Sequence, residues 1–129
     1  MASRIFSGGG PHDDGVVIGG TGDSLVLGNV ASVAAAGTNQ ATAAALTGTI
    51  NVVSGATGSN GVILPAAKPG MVVIVYSSAA SNGLPVYPAT GGTINSGTAN
   101  AAVTIEARTF SMFVATSSTN WAASYTANS

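Results

Sequence analysis

Residues 66–76 read Ala66-Ala67-Lys68-Pro69-Gly70-Met71-Val72-Val73-Ile74-Val75-Tyr76, and this stretch decides the fold. Six consecutive apolar residues, Met71 to Tyr76, follow a Pro-Gly turn and stop at Ser77-Ser78. A strand wet on one face alternates apolar with polar residues. This one does not, and a short unbroken run rich in β-branched residues belongs to a strand covered on both faces. A helix this short and this β-branched is the poorer reading. The chain therefore needs a central strand with a layer on each side. That layer is either its own second sheet or another copy of the chain.

On the N-terminal side of this strand, Thr49-Ile50-Asn51-Val52-Val53 is β-branched and partly alternating. The Gly/Ser/Asn cluster Ser54 to Asn60 then turns the chain into Val62-Ile63-Leu64, which stops at Pro65. Further back, Asn29 to Ala45 is Ala/Gly/Thr-rich with no helical stripe, and it reads as a loop leading into a strand through Ala43 to Leu46. On the C-terminal side, Asn82-Gly83 is a strong hairpin signal. Leu84-Pro85-Val86-Tyr87-Pro88 is extended, and its prolines assign it to a sheet edge. Thr93-Ile94-Asn95 is a brief strand. From Ala102 onward the residues alternate. Val103, Ile105 and Ala107 form an inward set continued by Phe110, Met112 and Val114, with Phe113 on the opposite side. Trp121, Ala123 and Tyr125 align on a last strand.

Seven or eight short strands with turns every 8 to 12 residues or so predict an all-β chain, a small antiparallel β-sandwich or jelly roll, over residues 25–129. Two internal echoes, Thr-Ile-Asn at 49–51 and 93–95 and Ala-Thr-Gly at 56–58 and 89–91, have different offsets and do not predict a repeat architecture.

The composition is unusual for a free domain. Only 5% of the 129 residues are charged, against about 25% in ordinary soluble domains, and there are three Lys and Arg in all. Phosphate neutralisation needs clustered basic side chains, so nucleic acid is not an expected partner. No apolar run is long enough to predict a membrane span, and Met1 to Ser7 lacks the apolar core of a signal peptide. Cysteine is absent, which removes thiolate metal sites and disulfides. A surface so poor in charge is either Ser/Thr/Asn-covered or hidden in an assembly, and both are expected here.

Residues 1–24 stand apart. Glycines at 8–10, 15, 19, 20 and 22 bracket Val16-Val17-Ile18, and four of the seven charged residues (Arg4, Asp13, Asp14, Asp23) fall in this segment. It reads as an extended arm with apolar anchors that dock on something else.

Three motifs invite a chemical reading. Gly22-Asp23-Ser24-Leu25 spells the serine block of the GDSL esterases. A serine nucleophile needs a base and an orienting acid, and that family places them in a late Asp-x-x-His. The one histidine, His12, precedes the serine, and no acid follows Glu106. The Gly19–Gly22 run lacks the lysine and following helix of a phosphate loop. His12-Asp13-Asp14 carries metal-ligand types, but three adjacent residues rarely converge on one ion. The expectation is no enzyme, no cofactor and no metal. Tyr76, Tyr87, Trp121 and Tyr125 read as packing residues before they read as a sugar site.

From Leu46 to Trp121 the order of features resembles small β-domains of bacteriophage virion proteins. Thr-Ile-Asn-Val-Val leads through a Gly/Ser turn to Val62-Ile63-Leu64-Pro65-Ala66-Ala67. Pro69-Gly70, the strand to Tyr76, Val86-Tyr87-Pro88-Ala89-Thr90-Gly91-Gly92-Thr93-Ile94-Asn95 and the closing Trp121 follow. The resemblance spans about 60% of the chain. Such domains serve as head decoration, cement or head-fibre proteins, and in tail fibres, and are commonly trimeric. It implies a homotrimer on the capsid surface, made in the host cytoplasm, whose partner is the major capsid protein. The docking residues are then Arg4, Ile5, Phe6, Val16, Val17 and Ile18 of the arm. The expected oligomer interface takes Met71, Val73, Val75 and Phe113, with Glu106 and Arg108. The alternative is a receptor- or glycan-binding fibre tip that uses the loops at 54–60 and 77–83.

Overall fold

A computed structural model of the chain describes residues 26–124. The arm anchors, His12-Asp13-Asp14, the Gly22–Leu25 block and Tyr125 lie outside the described residues. Ten strands form in order: β1 (Val30–Ala34), β2 (Ala44–Ala45), β3 (Ile50–Ser54), β4 (Val62–Ile63), β5 (Val72–Ser77), β6 (Leu84–Tyr87), β7 (Thr93–Ile94), β8 (Val103–Ile105), β9 (Phe110–Ala115) and β10 (Asn120–Ala123). There is no helix among the described residues. The all-β reading is correct.

The chain switches sheet at almost every connection. One sheet has the order β1-β3-β5-β9-β10-β7, the other β2-β4-β6-β8. Each pass through both sheets is one coil. Because consecutive strands of a sheet are joined through the opposite sheet, they return in the same direction. β1, β3 and β5 are parallel, and so are β2, β4 and β6. The result is a β-solenoid-like stack in place of the expected antiparallel sandwich. Asn82-Gly83 accordingly makes no hairpin; it carries the chain from β5 in one sheet to β6 in the other. Antiparallel pairing enters with β8 against β6, β9 against β5 and β10 against β9.

The coils also correct the expectation of no repeat architecture. Val30 pairs with Ile50 and Ile50 with Ile74, steps of 20 and 24 residues. In the second sheet Ala44 pairs with Val62 and Val62 with Val86, steps of 18 and 24. The Leu46 amide donates to the Ile63 carbonyl (3.1 Å), and the Leu64 amide does the same to Tyr87 one coil on (2.9 Å). Uneven steps and few shared letters conceal the period. The two sequence echoes, 44 and 33 residues apart, do not join paired coil positions.

Alternation puts one side of each long strand into a single core between the sheets. Val53, Val75, Phe113 and Trp121 from the larger sheet meet Val62, Leu84 and Val86 from the smaller one. Each such side chain contributes roughly 1.5–3 kcal/mol by leaving water. Pro85 is buried in β6, an interior strand and not the predicted edge. Its missing N–H is tolerated because pairing with β4 begins one residue later, at Val86. Gly61 lies against it, and a Cβ there would overlap the Pro85 carbonyl oxygen.

Asparagines tie the coils where a more charged protein would use ion pairs. Asn51, fully buried in β3, accepts from the Gly48 amide (3.0 Å) and donates to the Gly48 and Ile74 carbonyls (2.7 and 3.2 Å). Asn60 donates to the carbonyls of Gly55 (2.7 Å) and Ala35 (3.1 Å), the second in the neighbouring coil. Asn120 accepts from the Thr93 hydroxyl (2.7 Å) and the Ser96 amide (2.9 Å), joining β10 to β7.

Candidate functional site

The side of the larger sheet that faces away from the core is the most distinctive surface of the described residues. Strand register builds it in rows, because residues at one register on neighbouring strands share a face. Val30, Ile50, Ile74 and Met112 form one row. Ser32, Val52, Tyr76 and Phe110 form the next. Val72, Val114 and Ala122 form a third. Ten of these eleven side chains are apolar or aromatic. Phe110 is 66% exposed, Val30 57% and Met112 42%, while the Val, Ile and Tyr side chains between them are half-buried. Immediately before β1, Val26 and Leu27 are also exposed.

The face carries no charge. Among the described residues the charged side chains are Lys68, Glu106 and Arg108, and none belongs to the three rows. Beside Met112 the surface dips into a shallow apolar depression of about 250 Å³, lined by Met112, Val114, Ala122, Ala123 and Ser124. Phe110 projects at the other end of the same strand.

β5 is central, as its sequence predicts, with β3 on one side and β9 on the other. Its two faces differ. Val73 and Val75 are in the core (3% and 0% exposed), whereas Val72, Ile74 and Tyr76 are only partly covered. The second layer that the apolar run calls for is not supplied by the described residues of one chain.

The expected interface residues do not come together on this face. Val73, Val75 and Phe113 point into the core, so they are unavailable to another copy. Met71 is half-buried just before β5 and lines a separate groove with Leu46 and Pro65. Glu106 is half-buried and Arg108 exposed, both in the turn that carries the chain from β8 to β9. The inward set keeps odd-numbered positions across that turn, where the sequence reading shifts it to even ones. Arg108 adopts a left-handed backbone (φ 57°) and the Thr109 hydroxyl donates to the Glu106 carbonyl (2.7 Å), so alternation restarts in the other sheet. Ser111, Phe113 and Ala115 become the inward set, and Phe110, Met112 and Val114 the outward one. The available sequence signal was alternation itself, which carried unbroken from Val103 places Ser111, Phe113 and Ala115 inward.

The aromatic residues do not line a common site. Tyr76 is on the outer face, Trp121 is in the core, and the Tyr87 hydroxyl donates to the Thr38 carbonyl (3.5 Å) at the smaller sheet. A pocket of about 70 Å³ beside Trp121 is lined by Ala, Gly, Ser and Thr with no titratable group. No cluster of three His, Cys, Asp or Glu occurs among the described residues.

No protein-family model matches the chain, and no curated protein or solved structure is similar to it.

Proposed function

We propose that this chain is a structural protein of a bacteriophage virion, a decoration or cement protein that sits on the head surface as a homotrimer. The observation that carries the reading is the uncharged, apolar outer face of the six-stranded sheet. Contiguous apolar patches of more than a few hundred Å² mark interaction sites on soluble proteins. With no charged side chain in the rows, close packing against other subunits desolvates no ion. The order of sequence features shared with virion β-domains directs that general assembly role to the phage head.

The mechanism is mechanical. Trimers sit over capsomer junctions, and residues 1–24 reach the neighbouring major capsid subunits through Arg4, Ile5, Phe6 and Val16–Ile18. Three linked arms raise the effective affinity of individually weak contacts by large factors. No nucleic acid, membrane, cofactor or catalytic step enters this role.

The fibre-tip reading has one observation in its favour. The loops at 54–60 and 77–83 lie side by side where successive coils cross from the larger sheet to the smaller, and the Asn82 side-chain amide donates to the Ala56 carbonyl (3.4 Å). Both present polar, exposed residues there.

Gold-labelled antibody against the chain, applied to purified particles from the host that makes it, separates the readings. Label over the head supports decoration, and loss of the gene then lowers the temperature at which heads release their DNA. Label at the tail tip replaces this reading with the fibre one. Particles that carry no label refute both.

A further inference from the structure

We infer that a second copy of this chain covers the outer face of the six-stranded sheet, with Phe110 of one copy seated in the Met112–Ala123 depression of its neighbour. The face has the chemistry of a self-contact. Its rows hold ten apolar or aromatic side chains and no charge, so identical surfaces approach without like-charge repulsion. Six of the ten are half-buried and four remain exposed, Phe110 by 66%. A specific interface takes about 600 Å² from each partner at its lower bound, so nearly the whole face is engaged. The unbroken apolar run of β5 asks for cover on both faces, and one copy covers only the inner one.

Shape agrees with this chemistry. Phe110, 66% exposed, is the projecting anchor, and aromatic anchors in apolar pockets dominate interface energetics. The depression lined by Met112, Val114, Ala122 and Ala123, about 250 Å³, is its socket. On β9 the socket's lining residues Met112 and Val114 are two and four residues from Phe110, about 7 and 13 Å along the strand. Phe110 is exposed and does not fill its own chain's socket. Each copy gives one contact and receives one, which a two-fold face-to-face pair satisfies, as does a head-to-tail ring whose rotation closes. That the assembly is a ring of three rests on the trimer proposed above; the face does not.

The full-length chain, free of cysteine, suits two measurements. The first is light scattering of the wild-type chain and of Phe110→Asp, with Trp121 emission reporting that the core is intact. A multimer that falls to a single-chain mass in Phe110→Asp, with unchanged emission, is the expected result. The second is mild oxidation of the double variant Phe110→Cys with Ala122→Cys. These positions are about 14 Å apart within one chain, beyond the roughly 7 Å limit for a disulfide. Chain-to-chain crosslinks are thus expected and intrachain ones are not. This decides the matter even where Phe110→Asp fails to fold. A wild-type monomer overturns the inference, including the case in which the chain's own residues 1–25 cover the face. A three-chain mass unchanged by Phe110→Asp, with no crosslink, overturns the face and leaves the trimer standing. A two-chain mass that Phe110→Asp abolishes keeps the face and refutes the trimer.

Discussion

Replacing Asn51 by alanine tests the claim that buried amide staples hold the coils together. The Asn51 side chain is fully buried and makes three hydrogen bonds, two to the Gly48 backbone ahead of its own strand and one to the Ile74 carbonyl in β5. At about 1 kcal/mol net per bond the loss is about 3 kcal/mol. The small cavity left by the amide adds roughly 1 kcal/mol. With a urea m-value of about 2 kcal/mol/M, typical of a body this size, the midpoint falls by about 2 M. The assay is urea unfolding at one fixed protein concentration, because self-association makes apparent stability concentration-dependent. The signal is the emission of the single tryptophan, Trp121, which is 1% exposed in the fold and moves to longer wavelength on release into water. Asn51→Asp is the sharper control. It keeps the acceptor for the Gly48 amide, loses both donated bonds, and sets a buried carboxylate beside two carbonyl oxygens, so its cost is at least as large. An Asn51→Ala midpoint within about 0.5 M of wild type, at unchanged m, would refute the reasoning and place the cohesion of the stack in its apolar rows alone.

Three further outcomes are expected. Trp121→Ala removes the largest fully buried side chain and costs about 4 kcal/mol, read as a fall in the thermal midpoint by circular dichroism. Ser77→Ala raises stability by about 1 kcal/mol in the same urea assay with Trp121 emission, since the buried Ser77 hydroxyl has no hydrogen-bond partner among the described residues and is removed without breaking a bond there. Raising NaCl from about 10 to 500 mM moves the melting midpoint by no more than about 2 °C, because Lys68, Glu106 and Arg108 are the charged side chains of the described body and screening has little to act on. A salt-dependent midpoint, measured by calorimetry, would show that charges elsewhere in the chain contribute to its stability.

The local structure of this chain was largely legible in its sequence, and its path was not. The central strand at 72–77, the β-branched segments flanking it and the inward Trp121 follow from composition and alternation. What alternation does not encode is which sheet the next strand joins. Asn82-Gly83 carries the letters of a tight hairpin, yet a link of six residues, Ser78 to Gly83, lets the chain cross to the opposite sheet and run parallel later. Pro85 marks an edge strand only where a neighbouring strand needs its N–H, and here β4 starts one residue too late to need it. The candidate interface failed at one turn. The expected inward set passed from odd positions (Val103, Ile105, Ala107) to even ones (Phe110, Met112, Val114) across the turn, whereas odd positions stay inward in both β8 and β9, so Phe113 was exchanged with its outward neighbours. The unbroken apolar character of Met71–Tyr76 did announce a second covering layer, although not which residues would meet it.

The reversal at β8 and β9 has a consequence for how long this molecule can be. β8 runs backwards along β6, and β9 backwards along β5, so the coil they cover is closed on both sheets at once. At the opposite end, β1 and β2 each have a neighbour on one side only among the described residues. A length of about 24 residues, patterned like the step from β3 to β5, inserts among the coils without disturbing the closed end. Each such unit extends the body by about 4.8 Å. The molecule behaves as a ruler with one fixed end, graduated in strand spacings.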